Sequence, residues 1–90
     1  MPSQRVIDAV WEKGRRVPGY DPTQYRMDGG GRIIRRDEFN NQRSVYGWCL
    51  HYVRPLWEGG DQSLSNLTPM SCLNKMLSLA GLNRQVAITS

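Results

Sequence analysis

The chain has two cysteines and one histidine in 90 residues, and each scarcity closes off chemistry. Cys49 and Cys72 are not in CxxC spacing, so they read as reduced core thiols rather than as a disulfide or a zinc pair. A zinc site of Cys49, His51 and Cys72 lacks a fourth ligand. A lone histidine such as His51 is more often structural than catalytic. No apolar run is long enough to span a bilayer, and the N-terminal stretch around Arg5 and Asp8 lacks the apolar region of a signal peptide. The expectation is a soluble, cytoplasmic protein. Internal repeats and low-complexity tracts are also missing, which argues for one domain over residues 1–90.

What is present is a globular composition, 39% apolar and 22% charged. Lysine is nearly replaced by arginine, which supplies ten of the twelve basic residues at a net charge of +4. The planar guanidinium suits phosphate and carboxylate better than an ammonium does. Arg26, Arg32, Arg35, Arg36 and Arg43 lie in or beside one predicted hairpin and form the candidate binding set. Interleaved with Tyr25, Tyr46 and the tryptophans, they could grip phosphates while a ring stacks. The alternative is a solvated hairpin face partly neutralised by Asp28, Asp37 and Glu38.

Ser3 caps a predicted helix over 4–13, with Val6, Ile7, Val10 and Trp11 on its apolar side and Gly14 as its stop. The stretch 15–22, with two prolines and a glycine, reads as turns that exclude regular pairing. Residues 25–28 and 32–36 flank Gly29, Gly30 and Gly31 and predict a β-hairpin. A polar loop with about one helical turn follows over 37–44. A core strand is expected over 45–53, ended by Pro55, then a loop and a return beginning at Ser65-Asn66-Leu67. The last helix is predicted over 71–80, burying Met70, Leu73, Met76, Leu77 and Ala80, with a short tail over 83–90.

Tyr46-Gly47-Trp48-Cys49-Leu50-His51-Tyr52-Val53-Arg54-Pro55, then Gly59-Gly60-Asp61, Ser65-Asn66-Leu67, Pro69 and Asn74, resembles the HNH nucleases, the ββα-metal or His-Me finger family. There the first strand reads Tyr-Gly-Trp-x-x-Asp-His-x-x-Pro. The resemblance implies an α+β fold: an N-terminal helix, a β-hairpin and a degenerate HNH-like ββα unit at about 45–80. It places His51 at the metal-binding aspartate position, Tyr52 at the general-base histidine, Asn66 at the orienting asparagine and Asn74 at the helical metal ligand. Tyrosine, with an ordinary pKa near 10, is a poor base, and imidazole plus amide hold Mg²⁺ weakly.

The resemblance therefore implies a non-enzyme without metal or cofactor. In that reading Asn66 is kept to tie its loop, and the frame is reused for binding or inhibition. The implied setting is a phage or mobile element, and the implied partner is a nucleic-acid-handling complex. An anti-CRISPR protein acting on a CRISPR effector is one instance. The alternatives are a metal-dependent HNH endonuclease with altered residues and a plain DNA- or RNA-binding module.

Overall fold

Ser3 starts the chain's first element as its chemistry dictates. Its hydroxyl accepts the Val6 amide at 3.2 Å, and α1 runs over Gln4–Trp11. The computed structural model describes residues 2–79. The helix closes two residues earlier than its periodicity predicts, because the amides of Lys13 and Gly14 turn back to Val10 and Trp11 in tighter i→i+3 bonds. Lys13 then donates to the carbonyls of Leu64 and Leu67, holding the second half of the chain against the helix end.

β1 (Tyr25–Met27) and β2 (Ile33–Arg35) form the expected antiparallel hairpin, with Arg26 opposite Ile34. Of the three glycines at its tip, Gly31 takes the left-handed conformation, φ 85°, that closes the turn. The proline-rich stretch before it forms no strand, as its turn chemistry predicts, and touches the hairpin through a single isolated bridge at its first residue. Arg15 and Met27 exchange two backbone hydrogen bonds of 2.9 and 2.8 Å, since neither residue is a proline. The predicted helical turn is a 3₁₀ turn over Arg36–Glu38.

The second half is a hairpin followed by a helix: β3 (Trp48–Tyr52) pairs antiparallel with β4 (Leu67–Ser71), which leads directly into α2 (Cys72–Leu79). The fold is thus α+β, with two small antiparallel sheets between an N-terminal and a C-terminal helix. β3 begins three residues later than expected. Val45 is exposed, and at Gly47 a side chain would collide with the carbonyl oxygen of Asn41, so the chain turns there before extending.

The core joins both halves. Val10 and Trp11 from α1, Ile34 from β2, Trp48 from β3 and Leu67 from β4 are buried together, with Phe39, Leu50 and Tyr52 packed against them. Trp48 is fully buried, and its ring partners are Trp11, with centroids 5.1 Å apart, and Phe39, at 4.9 Å. The strand period sends Trp48, Leu50 and Tyr52 to this core and leaves Cys49 and His51 on the other face.

The apolar stripe expected on α2 holds only in part. Met70 and Leu77 are half-buried, but Leu73 and Met76 are exposed, whereas Cys72 and Asn74 are buried, because a polar anchor orients the helix. Ala80 and the tail over 83–90 lie outside the described residues.

Candidate functional site

β3 separates the two central positions of the motif. His51, opposite Thr68 on β4, is half-buried on the face turned toward α2. Tyr52 points to the core and lines a cleft of about 270 Å³ with Pro2, Val6, Leu50, Gln62 and Leu67.

The residue of α2 that acts on His51 is Lys75. Its Nζ donates to the Leu50 carbonyl at 3.2 Å. Burial, and then the Lys75 ammonium, push the His51 pKa below the ordinary imidazole value. His51 is therefore a neutral imidazole beside a fixed cation. It is available as a hydrogen-bonding group or weak ligand, but it sits in a field that repels a metal ion.

Asn74 is committed elsewhere. Its Nδ2 donates to Asp28 Oδ2 at 3.0 Å, its Oδ1 accepts from Arg32 Nε at 2.8 Å, and its backbone amide donates to Ser71 Oγ at 2.9 Å. The resemblance places Asn74 at the helical metal-ligand position, but here its amide is already bonded. Both ends of the amide are consumed by the first hairpin. Among the described residues, no group of three or more His, Cys, Asp or Glu side chains could hold a metal ion.

The centre of that anchor is a residue the sequence reading took for a charge-neutralising neighbour. Asp28, 1% exposed, accepts the Gly30 and Arg32 amides through Oδ1, at 3.0 and 2.8 Å. Through Oδ2 it accepts the Ser71 amide at 2.8 Å and the Asn74 side chain. Four donors satisfy one buried carboxylate, which is what such a group requires. An aspartate directly before three glycines is an Asx-turn signal, so its local half was available from sequence. Its link to α2 was not.

Asn66 performs the loop-tying role. Its Oδ1 accepts the Arg54 amide at 2.8 Å, and its Nδ2 donates to the carbonyls of Arg54, at 2.9 Å, and Asp61, at 2.7 Å. Arg54 Nε donates to the Glu58 carbonyl, and Gly59 turns at φ 91°. At Gly60 a side chain would strike the Arg54 carbonyl. The loop so pinned displays Val53, Leu56, Leu64 and Trp57, the last 83% exposed.

The arginine set divides. Arg26 is buried and structural, and so is not a binding residue: its guanidinium donates to the carbonyls of Pro22, Glu12 and Gly14 and to the Glu12 carboxylate. Arg32 is exposed but spends Nε on Asn74. Arg35 pairs with Asp37 and lies over the Tyr25 ring, and Arg36 pairs with Asp8. Arg43 is exposed. Besides Arg26, three of the five guanidinium groups are thus already engaged within the chain, at Arg32, Arg35 and Arg36. Comparisons with protein-family models, curated proteins and solved structures return no match.

Proposed function

We propose that the chain is a degenerate HNH-like protein that has given up hydrolysis and works by binding a nucleic-acid-handling protein complex, as a small inhibitor or adaptor. A CRISPR effector is one machine of this class. The observation that carries the reading is the contrast within the motif. Asn66 makes all three loop-tying bonds, while the amide of Asn74 is consumed by Asp28 and Arg32 and an ammonium stands beside His51. That contrast supports a frame kept for shape while its central positions serve other contacts.

The loop that Asn66 pins supplies the contact surface. An exposed tryptophan on a backbone already fixed loses little freedom on binding, and tryptophan is the residue type most enriched among interface hot spots. The net charge of +4 favours a partner that carries or mimics nucleic acid.

The test has two arms. With Mg²⁺, Mn²⁺, Ni²⁺ or Zn²⁺, the purified protein is expected to leave plasmid DNA uncut. Nicking that disappears in His51→Ala establishes the endonuclease reading instead. In pull-downs from lysate treated with nuclease, the wild type is expected to retain nucleic-acid-handling proteins that Trp57→Ala loses. Retention abolished by the nuclease means a plain nucleic-acid-binding module.

A further inference from the structure

On the face of β3 opposite the core, Cys49 is turned toward the start of α2, and the first residue of that helix is Cys72. The Cys49 thiol donates to the carbonyl of Met70, two residues before Cys72, and the Cys72 amide donates at 2.9 Å to the carbonyl of Gly47, two residues before Cys49, so the backbone holds the two cysteines side by side. The two thiols are near enough to act on one another's ionisation by hydrogen bond and by charge. Both line a cleft of about 240 Å³ with Asn40, Gln42, Lys75 and Met76, which leaves a route for a small oxidant. Cys49 is half-buried and Cys72 buried.

We propose that Cys49 and Cys72 form a reversible disulfide that locks β3 to the start of α2 when the protein meets a low-molecular-weight disulfide such as oxidised glutathione. This replaces the expectation of two inert packing thiols, and it does not depend on the binding function proposed above. The more accessible Cys49, as thiolate, attacks one sulfur of the oxidant. A mixed disulfide forms and the first glutathione thiolate leaves. Cys72, having lost its proton to solvent, then attacks the Cys49 sulfur and expels the second glutathione. The protein loses two hydrogens, and one glutathione disulfide becomes two thiols.

Burial sets the pace. It raises the pKa of both thiols, that of Cys72 to about 11; Cys49 adds to the rise at Cys72, whereas at Cys49 the Lys75 charge and the hydrogen bond with Cys72 oppose it. Few molecules carry a thiolate at neutral pH, so closure is slow there and quickens as pH rises toward that value.

The experiment incubates the native, full chain with oxidised glutathione at several pH values and follows intact mass. The expected product is a monomer lighter by about 2 Da that no longer reacts with a thiol reagent, with its rate increasing with pH. Its melting temperature should exceed that of the reduced protein by on the order of 10 °C, the scale expected for closing a loop of about 20 residues in a small domain. Reduction with dithiothreitol should reverse both. Cys72→Ser should stop at a glutathione adduct on Cys49, and because the main readouts use the wild type, a failure of that variant to fold leaves the test intact. A persistent glutathione adduct on the wild type overturns the proposal, as does a cross-linked dimer or an unchanged mass.

Discussion

At the residue scale, the chain spends its polar chemistry on architecture. Asp28 serves four donors at once, so Asp28→Asn must turn an amide toward a site that already holds donors. The variant should lose about 2–4 kcal/mol of stability in urea titrations, although its volume is unchanged. Arg26→Lys keeps the charge but not the planar fork that reaches three carbonyls and Glu12, and should lose about 2 kcal/mol. Arg43→Lys, at an exposed position, should stay within about 0.5 kcal/mol of the parent and serves as the control. His51 is the only histidine, so its NMR titration is unambiguous, and its midpoint should fall below 6.5. The unfolded chain then takes up the proton first. Stability should be unaffected by His51 above about pH 6.5, decline as pH falls toward the folded-state pKa, and level off below it. His51→Gln should lack that slope.

At the element scale, the sequence was legible wherever local chemistry decides the outcome. Ser3 capping α1, the glycine tip between β1 and β2, and a strand ended near Pro55 all follow from neighbours in the chain. It was illegible where a distant partner decides. Periodicity placed Leu73 and Met76 in the core, but α2 is rotated by the bond between Asn74 and Asp28, and no local pattern announces a link between residues 28 and 74. The same distance effect removed Arg26 and Asn74 from the candidate site, whereas Asn66, whose partners lie within its own loop, was read correctly as a tie. Two substitutions probe β3 and its start. Trp48→Ala empties the contact between Trp11 and Phe39 and should cost about 3–5 kcal/mol, enough to unfold a domain of this size in a thermal melt. Gly47→Ala puts a methyl group against the Asn41 carbonyl and should shift the start of β3. The check is loss of amide protection at Asn40, which donates to the Trp48 carbonyl.

At the scale of the whole molecule, the core has no owner. Trp11, Ile34 and Val10 come from the first half of the chain and Trp48 and Leu67 from the second, so among the described residues the buried apolar cluster is shared by both. Lys13 bonded to Leu64 and Leu67, and Asp28 bonded to Ser71 and Asn74, cross the same divide with polar contacts. The connection between the halves, around Gln42 and Arg43, is exposed and carries none of those contacts. A chain cut there should therefore behave as a split protein. Fragments 1–42 and 43–90 should each be largely unstructured alone and regain helical and near-ultraviolet circular dichroism when mixed. Asp28 would act as the recognition residue of one fragment for the other, and fragment complementation would turn an internal anchor into a measurable affinity.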